Sequence, residues 1–326
     1  FSFTVVWDVL ISIANFCSLH YLCAIIYIIG MSTTRPSVGY HILALVTIAV
    51  WGTTFVSTKV LLSHGLTPPE IMFYRFIIAY ALTWIFTRKV WADTWKDELL
   101  LALAGFTGGT LYFLAENTAL DYSITSNVAL VVCVTPVLTA LLTSLCYKER
   151  ITARLVVGSV VALSGVGFVV LNGTVLKIHP LGDALALVAA VAWAVYSVVI
   201  RRFDGCYTTW FVTRKVFFYG IVTMIPFIAA GMGGGLHLDK LTIPVVLGNV
   251  LFLSVLASML CFYSWNLVLE KIGTIRASNY MYTQPLVSLA CSVAVLGEPI
   301  TPIALGGTVL ILSGIYLAEH GWKKRT

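Results

Sequence analysis

The sequence predicts an all-α membrane protein of ten transmembrane helices, arranged as two inverted five-helix repeats. Three observations carry this expectation. Of the 326 residues, 59% are hydrophobic and only 10% charged, with a mean hydropathy of +0.95. Soluble domains are about 45–50% apolar and about 25% charged, and a soluble fold of this length has too little interior to hide so much apolar side chain. From Met31 onward the chain divides into ten apolar runs joined by short polar loops. The second half of the chain then repeats the first at a nearly constant offset. These properties exclude a cytosolic enzyme, a secreted module and a disordered chain.

A helix rises about 1.5 Å per residue and the hydrocarbon core is about 30 Å thick, so each run of about twenty apolar residues reads as a span. The first five are 41–63, 70–87, 98–120, 125–147 and 152–172; the second five are 182–200, 211–230, 243–269, 274–296 and 302–320. The longest loops, near 88–97, 173–181 and 231–242, leave no room for a soluble domain. With Met31 in the cytoplasm, fourteen Lys and Arg fall on inside segments and two, Lys177 and Lys240, outside. That asymmetry predicts a multi-pass protein of the cell membrane with both ends of residues 31–326 cytoplasmic.

Residues 1–40 stand apart from the repeats as an N-terminal extension. The chain begins with Phe1, and Asp8, Asn15 and His20 make a poor span of 9–30. An additional N-terminal helix and upstream sequence from a misplaced start both fit, and the second is preferred; no basic region precedes the apolar stretch, which argues against a signal peptide.

The net charge of +6 comes from 20 Lys and Arg scattered between apolar runs. They form no basic stripe, so no nucleic-acid partner is expected. The seven cysteines lack paired short spacings and read as small core residues, with neither disulfides nor a zinc site indicated. No Walker A loop is present. No cofactor or metal is expected.

The repeat is the most informative feature. At an offset of 149, the halves align from Phe113 to Gly165 without a gap, matching Asn117 with Asn266, Pro136 with Pro285, Glu149 with Glu298 and Ser164-Gly165 with Ser313-Gly314. Trp51 and Lys59 fall on Trp193 and Arg201 at 142, and Arg75 falls on Arg214 at 139. Residues 41–172 and 182–320 are therefore the two copies. Five spans per copy force the copies to cross the membrane in opposite senses, which is how secondary transporters build two related gates around one midplane site.

At this point Ala49-Val50-Trp51-Gly52-Thr53-Thr54-Phe55 with Lys59, Arg75-Phe76, and Leu296-Gly297-Glu298-Pro299-Ile300-Thr301 followed by Gly306-Gly307 and Ser313-Gly314 resemble EamA-type repeats. The chain is similar to the EamA branch of the drug/metabolite transporter superfamily over nearly all of 41–320. The first copy departs from the pattern, with Lys148-Glu149-Arg150 in place of Gly-Glu-Pro. The resemblance implies a ten-helix basket with a central cavity that exports or exchanges small metabolites, often amino acids.

Charges inside a bilayer cost roughly 2.5–3.5 kcal/mol each on insertion scales. Lys59, Arg75 and Glu116 are expected at similar depth in the outer half, with Glu116 neutralised by Arg75 or Lys59. Glu116 is the one carboxylate well inside a span and so the candidate proton site. A snorkelling Lys59 and a structural Arg75–Glu116 pair fit the same residues. Pro136 and Pro285 hold equivalent mid-span positions, as hinges beside the substrate path or as packing kinks. Span 9 is too polar for a lipid-facing helix, with Asn279, Tyr280, Thr283 and Gln284 on neighbouring faces. Asn127 on span 4 and Trp51, Tyr112, Asn117, Trp193, Tyr196, Trp265 and Asn266 complete the expected substrate cavity, although each aromatic alone also fits core packing. Gly108, Gly109, Gly165, Gly167, Gly306 and Gly307 are expected at close helix contacts.

The expected function is secondary active transport of small metabolites by alternating access, with protons as a candidate coupling ion and the bilayer and the small-molecule substrate as partners. The alternative is a membrane-embedded enzyme acting on a lipid or small metabolite, which needs a nucleophile–base pair or metal cluster at bilayer depth.

Overall fold

A computed structural model describes residues 36–123, 125–170, 179–230, 236–287, 290 and 301–320. The segment 1–30 and most of the Leu296–Thr301 signature lie outside these residues. Among the described residues every regular element is helical. We label them α1 (Pro36–Ser63), α2 (Pro68–Thr83), α3 (Trp95–Tyr122), α4 (Thr125–Val132), α5 (Thr135–Tyr147), α6 (Ala153–Val170), α7 (Pro180–Ile200), α8 (Thr209–Ala229), α9 (Pro244–Ile272), α10 (Thr274–Asn279) and α11 (Pro302–His320). Among the described residues six helices are long and apolar enough to cross a membrane, the longest being those over Trp95–Tyr122 and Pro244–Ile272.

Local chemistry sets the helix ends. Thr67 starts α2 in a capping box with Glu70, followed by Pro68 in the first turn, where a missing N–H costs nothing. Thr94 caps α3 by accepting from the Asp97 amide, and Thr208 caps α8 by accepting from Phe211. Helix α2 ends at Thr83, four residues short of the expected span limit. The interruption in the fourth span falls at residues 133–134, so Pro136 sits in the first turn of α5 rather than inside a continuous helix. The ninth span does the same, with a tight 3₁₀ turn over Tyr280–Thr283 immediately before Pro285. Both prolines thus follow a break at repeat-equivalent positions.

The third helix of each copy carries a wide π segment, at Phe106–Leu111 in α3 and at Phe252–Leu260 in α9. An offset of 149 lays the first inside the second. A π turn adds a residue to the helix and leaves backbone groups without their usual partner, and one backbone group of the second segment, the Ala257 carbonyl, serves the site described below.

Packing follows the same symmetry. Helix α1 lies on α9 as α7 lies on α3, α2 packs on α8, α5 on α10, and α6 on α11. The last pair is antiparallel and reciprocal. A Cβ added at Gly158 would lie 2.6 Å from the Gly314 carbonyl, and one at Gly307 would lie 2.7 Å from that of Gly165. Gly158 and Gly165 are the repeat equivalents of Gly307 and Gly314, so each contact maps onto the other, as a two-fold axis requires. Gly167 and Gly306 do not belong to this contact: a Cβ at either meets nothing within 4 Å. The reason is helical geometry, because a residue two places along from Gly165 points to the opposite side of the helix.

The reciprocity makes a matched prediction. Gly158→Ala and Gly307→Ala should each destabilise the protein by about 1–3 kcal/mol, the usual cost of overpacking, and by similar amounts. Gly167→Ala and Gly306→Ala should be neutral or slightly stabilising. Thermal melting of the four variants in detergent checks this.

Candidate functional site

A small cavity, in this structure about the size of a water molecule, is lined by Trp51 and Thr54 of α1, Arg75 of α2, Tyr112, Phe113 and Glu116 of α3, Trp193 of α7, and Met281 and Gln284 after α10. Its character is apolar and aromatic with a few polar groups, the usual make-up of a small-molecule site.

The second π segment holds two of its walls. The Trp51 indole N–H donates to the Ala257 carbonyl at 2.9 Å, and the Arg75 Nε–H donates to the Ser258 hydroxyl at 3.2 Å. The Arg75 guanidinium also lies over the Phe113 ring, 4.4 Å from its centroid, a contact that gains strength away from water. Arg75 is 2% exposed and stands at the middle of α2, not near its end. Across the cavity, the Tyr112 hydroxyl donates to Glu116 Oε1 at 2.5 Å. Arg75 and Glu116 thus face the same space with opposite charge, and among the described residues no ion pair within 4 Å joins them. Lys59 is exposed on α1 and is not part of the lining.

The aromatic wall is interlocked. Trp193 meets Trp51 edge-on with centroids 5.2 Å apart, and Tyr112 lies 4.8 Å from Trp193. Trp265, fully buried, backs Trp51 at 5.4 Å. The repeat equivalents Trp51 and Trp193 are not equivalent in bonding: the Trp193 indole N–H is buried without a partner among the described residues.

Of the residues expected to form the cavity, Trp51, Tyr112, Trp193 and Gln284 line it, together with Arg75 and Glu116. The others are placed around it. The Tyr196 hydroxyl donates to Asn266 Oδ1 at 2.5 Å, and Asn266 in turn donates to Thr213 at 3.0 Å. Asn266 also lines a second, smaller pocket with Phe203, Asp204, Thr209 and Glu270. Tyr280 pairs with His41 Nδ1 at 2.6 Å, and the Thr283 hydroxyl donates back to the Tyr280 carbonyl. Asn117 and Asn279 are buried, with amide atoms that have no partner among the described residues. The Asn127 side chain lies outside the described residues, and Pro285 is buried beside Gln284.

Four contributors escaped the sequence reading: Thr54, Phe113, Met281 and Ser258. Thr54 and Phe113 each lie three residues from a recognised neighbour, Trp51 and Glu116, so helical spacing was an available signal. Ser258 carried none, because only the π segment turns it toward Arg75.

The buried pair beside the loop is structural. Glu98 and Lys215 form an ion pair, with the Tyr219 hydroxyl and the Ala92 amide also donating to Glu98. Arg214 donates to the Thr87 carbonyl at 2.6 Å beneath Trp84. These contacts tie the 84–94 connection to α3 and α8, away from the cavity.

Comparison with known proteins agrees with this architecture. An uncharacterised transporter of Archaeoglobus fulgidus is 28% identical over 277 residues, covering 83% of this chain and 95% of its own. A protein named as a probable amino-acid metabolite efflux pump of Salmonella typhimurium is 27% identical, covering 87% of this chain and 95% of its own. A probable terminal-alkyne amino-acid exporter of Streptantibioticus cattleyicolor is 26% identical, covering 84% and 91%. A solved crystal structure of 20% identity superposes with a TM-score of 0.69 over 89% of this chain and all of the other, and so shares the fold. The EamA-like transporter family matches at residues 39–171 and again at 180–319, one match per repeat. The chain therefore belongs to the EamA-like transporter family and is a multi-pass membrane transport protein.

Proposed function

We propose that the protein is a secondary transporter that exports or exchanges small zwitterionic metabolites such as amino acids. It works by alternating access, with ten spans in two inverted repeats, both ends of residues 31–326 in the cytoplasm, and the cell membrane as its site. The observation that carries the reading is the cavity in which Arg75 and Glu116 face one space without pairing. A structural ion pair would close directly, because a buried charge gains most from its nearest opposite charge. An open pair instead matches a ligand that carries both charges. The substrate carboxylate meets the guanidinium, whose terminal nitrogens remain beyond the Nε–Ser258 bond, and the ammonium meets Glu116. The names of the amino-acid exporting relatives support the same substrate class.

This arrangement also supplies a coupling mechanism. A proton and an ammonium group compete for one carboxylate, so protonation of Glu116 releases the substrate and substrate binding expels the proton. That is exchange of substrate against protons, driven by the proton gradient. Tyr112 holds Glu116 in either state through its 2.5 Å hydrogen bond.

Two measurements test the proposal. A ligand at 100 times its dissociation constant adds about 2.7 kcal/mol of stability, so a matching amino acid should raise the melting midpoint of the purified protein. Arg75→Gln should weaken that ligand about ten- to a hundred-fold, the loss of a charge-assisted contact. Glu116→Gln should abolish the response of transport to an imposed pH gradient. If pH-driven transport persists in Glu116→Gln, the carboxylate is not the proton site.

A further inference from the structure

The connection between α2 and α3 carries a surface that the central cavity does not use. From Trp84 to the first residue of α3 it presents six large apolar side chains: Trp84, Ile85, Phe86, Val90, Trp91 and Trp95. Ile85 is 76% exposed, Trp91 62% and Trp95 74%. Such a patch is costly in water and marks an interaction site. The backbone over 84–94 is irregular, and irregular lipid-exposed backbone is not tolerated in the hydrocarbon core, where unpaired amides cost several kcal/mol each. The loop therefore belongs between the two, at the level of the headgroups, where tryptophan is enriched.

Bonds from the protein side fix this presentation. Arg214 of α8 donates to the Thr87 carbonyl, the Ala92 amide donates to Glu98, and the Asp93 amide donates to the Tyr207 hydroxyl at 2.9 Å. Two cations back the rings, with Arg214 4.2 Å from the Trp84 centroid and Lys215 4.6 Å from that of Trp91. The same contacts sort the charges. Asp93 pairs with Lys89, Asp97 accepts from the Tyr207 hydroxyl, and Glu98 pairs with Lys215, so every carboxylate of the stretch is engaged. Arg88 and Lys96 remain exposed and Arg214 is buried. Among the described residues none of these three has a carboxylate within 4 Å. A buried guanidinium without a counter-charge is unfavourable, and an anion brought to the loop relieves it.

We propose that the 84–96 loop is a docking site for acidic phospholipid. Its apolar side chains lie among the upper acyl chains, and Arg88 and Lys96, with Arg214 beneath Thr87, face the anionic headgroup. The apolar side chains alone suit any lipid. The uncompensated positive charge selects an anionic one, since each basic residue near a membrane surface adds attraction to acidic lipid. Because the loop is bonded to α3 and α8, lipid held there stabilises the fold. In the topology proposed above the loop is cytoplasmic, and that leaflet is the one rich in acidic lipid. The site itself depends on neither the substrate nor the coupling ion.

The test is thermal melting of the purified protein in detergent with added phosphatidylglycerol, phosphatidylcholine or glycerol 3-phosphate, which has the phosphate without the chains. It needs no substrate and is indifferent to orientation. Phosphatidylglycerol should raise the melting midpoint saturably and at lower concentration than phosphatidylcholine, and glycerol 3-phosphate should not raise it. Arg88→Gln with Lys96→Gln should weaken the phosphatidylglycerol response about thirty-fold, about five-fold for each basic residue, and leave the phosphatidylcholine response unchanged. Arg150→Gln with Arg154→Gln removes the same charge from exposed positions elsewhere and should alter neither response. Ile85→Ser with Trp95→Ser should weaken both lipids alike. Each affinity is read against that variant's own lipid-free midpoint, so a shifted baseline does not enter. Equal responses of the unaltered protein to the two lipids, equal losses in the two arginine-bearing double variants, or a matching rise with glycerol 3-phosphate overturns the assignment.

Discussion

A guanidinium and a carboxylate buried in one bilayer protein each need a partner that lipid cannot offer, and the cost of leaving either bare is several kcal/mol. The cavity around Arg75 and Glu116 is organised by that constraint. Arg75 is met by Ser258 and Phe113, and Glu116 by Tyr112, so each charge has one strong local contact and an open side. The Tyr112–Glu116 bond lies within α3, whereas both Arg75 contacts cross between helices and form only when α2, α3 and α9 are held at fixed spacing. The π segments provide the spacing by widening α3 and α9 at equivalent points. In α9 this brings the Ala257 carbonyl and the Ser258 hydroxyl to the groups they hold, at the site itself.

Symmetry and its breaking divide the labour. The reciprocal glycine contact between α6 and α11 lies outside the cavity and is nearly perfect, as expected of a scaffold. At the cavity the copies diverge: Glu116 falls opposite Trp265 in the repeat, and Trp51 is hydrogen-bonded where its equivalent Trp193 is not. In the proposed mechanism, two related halves give two related conformations of similar energy, and the single charged pair gives one binding site between them. A bistable packing of this kind is what small ligand and proton energies are able to tip.

Much of this was legible in the residues. The apolar runs and the offset of 149 together carry the helical two-repeat architecture, because hydrophobic burial and repeat spacing are local properties of a sequence. Arg75 and Glu116 announced themselves by their cost. The facing of individual side chains was harder. Gly165 and Gly307 were grouped with Gly167 and Gly306, although the seven-residue spacing of Gly158 with Gly165 and of Gly307 with Gly314 marks the packed stripe. The π segments left no sequence signal, since they arise from tertiary packing, and with them went the role of Ser258. Span 9 was read correctly as too polar for lipid, but its polar groups divide between the cavity, a bond to His41 and unpaired burial, a division that only three-dimensional contacts decide.

The most direct measurement is flux. Proteoliposomes containing the purified protein would be loaded with a labelled amino acid that stabilises it, and its movement followed under imposed substrate and proton gradients without nucleotide. The account predicts saturable exchange whose direction follows the gradients and reverses with them. Flux that ignores both gradients, or no saturable flux of any ligand that binds, would contradict a secondary transporter built around Arg75 and Glu116.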